Sequence, residues 1–118
     1  MPLSRVLCLS YDQPISEERR QALKKAGFDV VATTVVEQAF AVARTQKCHA
    51  LVIGHHFTDE QTNALIANAR SRWHCPIIVV TGVGAPSDAR ADVSVPILSG
   101  VMGLVRTVVQ IVPRLEAA

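Results

Sequence analysis

The chain has 118 residues, 49% apolar and 19% charged, with a net charge of +2, which is enough for one buried core and too little for two domains, so a single domain over residues 1–118 is expected. That composition excludes a disordered chain, and no apolar run approaches the ~20 residues that cross a bilayer. Interspersed charge with one Trp, one Tyr and three Phe argues against a nucleic-acid surface.

The start, Met1-Pro2-Leu3-Ser4-Arg5, runs directly into a strand-like segment with no signal-peptide pattern, and a cytoplasmic protein is expected. Arg5–Leu9 predicts the first strand. Ser16 reads as the N-cap of the first helix, with Glu17 and Glu18 at the positive end of its dipole. Ile15, Ala22, Leu23 and Ala26 share one face, and Gly27 ends the helix in a left-handed conformation. Arg19, Arg20, Lys24 and Lys25 read as a solvated face.

Phe28–Ala32 predicts the second strand. Thr34-Val35-Val36-Glu37 has capping-box spacing and opens a second helix to about Gln46, with Val36, Ala39, Phe40 and Ala43 as its buried stripe. Ala50–Gly54 is all-apolar, as in a central strand covered on both faces. Thr58-Asp59-Glu60-Gln61 is a second capping box for a third helix ending near Trp73. Pro76 precedes a fourth strand, Ile77–Val80. Only twelve residues, Thr81 to Asp92, then precede the next apolar run, and Gly82, Gly84 and Pro86 break them. A parallel crossover usually needs a dozen residues or more, so a short helix or single turn near Ser87–Arg90 is predicted. Val93–Val95 is the fifth strand. Ser99 caps a last helix reaching about Val112, with Pro113 beyond. Strands alternating with helices imply a parallel sheet with its site at the strand carboxyl ends.

Those ends carry a resemblance over Arg5–Val112. "VLCLSYDQP", "AGFDVV", "HALVIGHHF" and "CPIIVVTG" resemble the receiver domain of two-component response regulators. The resemblance implies a flavodoxin-like (βα)5 sandwich with sheet order 2-1-3-4-5, here with a shortened fourth helix. Receivers take a phosphoryl group on an aspartate after the third strand. Acids after the first strand hold Mg²⁺, a Thr or Ser ends the fourth strand, and a Lys precedes a proline after the fifth.

Carried over by position, the phosphoacceptor falls on His55. The acidic pair falls on Tyr11 and Asp12, or on Ser10 and Tyr11 if the alignment slides by one residue. Thr81 takes the hydroxyl position, and Val95, before Pro96, takes that of the lysine. The last lysine of the chain is Lys47. Mg²⁺ wants hard oxygen ligands, which an imidazole does not supply. The resemblance therefore implies a degenerate pseudo-receiver that has lost its phosphoacceptor Asp and its Lys, with no cofactor and no tight Mg²⁺ site. The function expected is a phosphorylation-independent signalling or protein-interaction module that is not an enzyme. The alternative is a small-ligand, anion or metal sensor in the altered pocket.

Successive strand-end residues point apart, so His55 and His56 are not expected to converge on one ion, and His56 is either exposed or caps the third helix. Cys48-His49 and His74-Cys75 share the amino-terminal rim in receiver strand order. They are the weak candidates for a structural zinc, against a reading as free buried thiols and surface histidines; Cys8 reads as a core residue. On the last helix Val101, Met102, Leu104, Val105, Val108, Val109, Ile111 and Val112 are apolar, opposite Gly103, Arg106, Thr107 and Gln110. This stripe is wider than the ~100° that one sheet face covers. Val101, Met102, Val105 and Val109 are the candidate interaction surface for a protein partner or a homodimer, with Met102 and Val109 as edge residues toward the fifth strand.

Overall fold

Short β-branched runs pair side by side when helices cover both faces of the sheet they form. A computed structural model describes residues 3–112, in which β1 (Arg5–Leu9), β2 (Asp29–Thr33), β3 (Ala50–Ile53), β4 (Ile77–Thr81) and β5 (Val93–Pro96) alternate with α1 (Gln13–Lys25), α2 (Val36–Thr45), α3 (Asp59–Trp73) and α4 (Gly100–Ile111). The sheet is parallel throughout, in the order β2-β1-β3-β4-β5. Cys8 lies beside Ala32 and Val52, Val52 beside Ile78, and Val80 beside Val95.

Alternate residues of each strand feed opposite faces. Val6, Cys8, Val52, Ile78 and Val80 pack with Leu23 of α1 and with Leu104, Val105 and Val108 of α4. Leu7, Leu9, Leu51, Ile53 and Ile77 pack with Ala39 and Ala43 of α2 and with Leu65 and Ala69 of α3. The Trp73 indole N–H donates to Ala43 O (2.7 Å) and ties the end of α3 to α2.

Several predicted details shift. Helix α1 starts at Gln13, with Asp12 as its cap; Ser16 is buried inside the first turn, where its N–H donates to Asp12 O (3.0 Å). Two polar residues competed for the cap, and Asp12 won because Pro14 in the first turn needs no acceptor. Gly27 does end this helix region, with φ 102. The Thr34–Glu37 box does not form. Thr33 replaces it, accepting from the Val35 N–H (3.0 Å) and donating to the Gln38 side chain (2.6 Å). The box at Thr58 and Gln61 is present in both directions, each bond 3.0 Å.

The reduced fourth helix is a single turn, in which the Ala91 N–H donates to Asp88 O (3.1 Å). Ser99 makes no capping bond; it closes a 3₁₀ turn, Ile97–Ser99, ahead of α4. Gly103 is buried rather than solvated, since a Cβ there would stand 2.5 Å from Ser99 Cβ. Pro113 lies outside the described residues.

Candidate functional site

Backbone bonds extend the sheet one residue past its strands. The Gly54 N–H donates to Leu9 O (2.8 Å) and the Ser10 N–H to Thr33 O (3.1 Å). Tyr11 and His55 therefore leave the sheet at neighbouring points, and their rings meet edge to face at 5.0 Å between centroids. His56 has φ 75, a left-handed turn that folds its ring back to 4.0 Å from His55 and 4.5 Å from Tyr11. The expectation that the two imidazoles point apart is thus corrected, because it assumed extended backbone at a residue that is not extended. His56 is exposed and Thr58 caps α3.

His55 lies over Gly82, where a Cβ would stand 3.5 Å from its ring. Its Nδ1 is buried and has no hydrogen-bond partner. Burial, then His56 and the Arg19 cation, hold its pKa below the ordinary imidazole value, so the ring is neutral at pH 7. The Asp12 carboxylate is engaged elsewhere, accepting from the Ile15 N–H at 2.9 Å. Thr81 is buried at the end of β4, and Val95 is buried beside Val80. The structure therefore brings Tyr11, His55 and His56 into one ring cluster. It places Thr81 with His55 in a shared cavity of about 590 Å³ and turns Asp12 onto its own helix.

The same cavity is walled by the Gly82–Asp92 connection. Arg90 holds that wall, pairing with Asp88 (2.6 Å) and Asp59 (3.4 Å) and donating to the Asn63 side chain (3.0 Å). Asp88 N–H donates to the Ser94 hydroxyl (2.8 Å). These bonds do the job of the reduced helix, fastening the connection to α3 on one side and β5 on the other.

Sequence reasoning missed Arg19. It is 6% exposed, and its guanidinium donates to the buried Ser10 hydroxyl (3.1 Å). Gly54 leaves room for it, since a Cβ there would stand 3.2 Å from the nearer guanidinium nitrogen. The signal was present: Arg19 is four residues after Ile15 and four before Leu23, on the apolar stripe.

At the opposite rim, Cys48 and Cys75 are buried in one apolar cluster. His49 Nδ1 accepts from the Arg5 N–H (2.8 Å), and His74 sits left-handed at the end of α3. No group of three or more metal-ligating side chains forms among the described residues. All three cysteines are free and buried, and burial pushes the Cys48 thiol up to about 11. Such thiols stay protonated and are poor nucleophiles.

On α4, Met102 and Val109 are exposed, at 58% and 38%. Met102 faces α1 rather than β5. It lines a groove of about 840 Å³ against Gln21, Ala22 and Lys25 of α1. Val105, expected on the interaction surface, is instead buried in the core, because it packs on the sheet with Leu104 and Val108. Val101 is the residue turned toward β5, in a separate cleft with Val95 and Pro96.

A receiver domain protein from Methanospirillum hungatei superposes with a TM-score of 0.76 at 19% identity, covering 92% of each chain. The chemotaxis protein CheY4 of Vibrio cholerae superposes at 0.79 with 14% identity, covering 93% of this chain and 99% of that one. The chain shares the fold of response-regulator receiver domains. A Burkholderia pseudomallei response regulator with a phosphorylated aspartic acid is also similar, at 0.73 and 17% identity over 93% of this chain and 66% of its own. No protein-family model matches the sequence, and no curated protein does. At these identities the likeness is one of fold. None of the described helices is long and apolar enough to cross a membrane.

Proposed function

We propose that this chain is a non-enzymatic, phosphorylation-independent signalling module on a receiver scaffold, acting through contacts with a protein partner or a second copy of itself. The observation that carries the reading is the rim itself. At the strand-3 tip, the position to which the receiver resemblance assigns the phosphoacceptor, this chain has His55, clustered with Tyr11 and His56. Asp12 caps α1, and Val95 is apolar where receivers place their ammonium. A carboxylate already holding a helix N-terminus and a neutral imidazole are a poor clasp for a divalent cation and a phosphoanion. The partner surface in this reading is the exposed side of α4 with the adjoining end of β5.

Intact-mass measurement after incubation with a small phosphodonor and Mg²⁺ tests the reading. The expected result is unmodified protein, and a stable aspartyl phosphate overturns it. A second reading, a small-ligand sensor at this rim, draws on the unpartnered His55 Nδ1 beside a sizeable cavity.

A further inference from the structure

We propose that Arg19 anchors a binding cleft for a small carboxylate with an apolar body. The proposal is independent of the interaction reading; its cleft adjoins the His55 cavity, with Val80 lining both and Arg19 close to Gly54 at the rim. A cleft of about 180 Å³ lies between α1, the end of β5 and the start of α4. Its walls are largely apolar, with Val80, Val95, Ile97, Val101 and Leu104 prominent, and Arg19 lines it from α1 with its guanidinium held at the Ser10 hydroxyl.

A guanidinium removed from water is costly unless it is paired and hydrogen-bonded. Arg19 has five N–H donors and makes a single hydrogen bond, to a neutral hydroxyl. Among the described residues it forms no ion pair: the salt bridges engage Arg5, Arg20, Arg70 and Arg90 instead. Hydrophobic stems alone would be served better by Leu or Met at this position. No Arg19 nitrogen is among the fully buried polar atoms that lack a partner, so the unbonded donors stay open to an incoming anion.

The shape of the cleft selects among anions. A carboxylate matches the planar fork with two parallel bonds. Inorganic phosphate carries up to four strongly hydrated oxygens, and the hydrocarbon walls offer those oxygens nothing. Glu18 is exposed and also lines the cleft; its charge opposes any anion, and a dianion about twice as strongly as a carboxylate. A cavity of ~150 Å³ is known to accept a benzene-sized guest, so 180 Å³ suits benzoate or a branched short-chain acid.

The test is amide chemical-shift titration of the whole chain with benzoate, with benzyl alcohol and inorganic phosphate as comparisons. Benzoate is expected to produce saturable shifts at Arg19, Val95 and Val101. Benzyl alcohol, which keeps the ring and loses the charge, should bind roughly tenfold or more weakly, and phosphate should give no saturable shift. Arg19→Met should abolish benzoate binding. Val101→Phe, which fills the cleft and leaves the cation in place, should abolish it as well. If Arg19→Met does not fold, the benzyl alcohol comparison in the wild type decides alone. Absence of saturable shifts, equal binding of the alcohol, or phosphate binding as tight as benzoate overturns the proposal. The first of these outcomes would mean that the cleft holds water only.

Discussion

Asp12 separates two roles for the one acid among the positions carried over from the receiver site, Tyr11, Asp12, His55 and Thr81. If its carboxylate serves α1, Asp12→Ala removes the 2.9 Å bond to the Ile15 N–H and leaves that donor without its acceptor. Loss of such a cap costs about 1 kcal/mol, within a range of roughly 0.5–2. Unfolding entropy near 2.1 cal/mol/K per residue over 118 residues converts 1 kcal/mol to about 4 °C in Tm. Asp12→Asn keeps the acceptor and forfeits only the charge–dipole attraction, about 0.3–1 kcal/mol. The assay is urea unfolding followed by far-UV circular dichroism, with and without millimolar Mg²⁺. The expected order is wild type, then Asn close behind, then Ala, with no change on adding the metal. Equal losses in the two variants refute the capping argument. A Mg²⁺-dependent stabilisation that Asp12→Asn removes refutes the degenerate-site reading as well.

Further expectations follow from other parts of the molecule. Gly103→Ala places a methyl 2.5 Å from Ser99 Cβ; it should cost about 1–3 kcal/mol in urea unfolding, as overpacked sites do. His55 should titrate below the ordinary imidazole value of 6.5 by proton NMR, and Arg19→Met should raise it by removing a nearby cation. Because the folded state disfavours the charged ring, the His55 contribution to stability is present above pH 6.5 and falls away as pH drops below it. A flat profile from pH 7 to 5 in wild type, with a fall there in His55→Phe, would invert that sign. Met102→Asp should abolish any self-association seen by light scattering at high concentration. Association that survives the change removes α4 from the interface.

The strands were legible because their β-branched runs are bounded by turn residues, and α3 was legible because its capping box marks the start and Pro76 the connection beyond its end. Where two local signals competed, sequence reasoning chose wrongly. Ser16 has two acids behind it, yet Asp12 precedes a proline that already lacks its donor; Thr34 has an acid at the right spacing, yet Thr33 holds the turn. The rim chemistry was readable by position, but its geometry was not. The left-handed backbone at His56 is an uncommon choice for a residue with a Cβ, and with it the two rings lie tilted against each other, 4.0 Å apart, rather than diverging. Arg19 was hidden by its company, since three other cations flank it and only helical phase sets it apart. The facing of Met102 depends on how α4 rotates against α1, which a single helix's pattern does not contain.

The stretch from Val83 to Ser87 is exposed, and its Gly84 has empty space around it. The bonds from Asp88 and Arg90 begin immediately after it and fix the chain before β5 is reached. Exposed loop tips followed by fastened backbone are where insertions are tolerated, so a reporter peptide placed at Gly84 is expected to leave β5 in register.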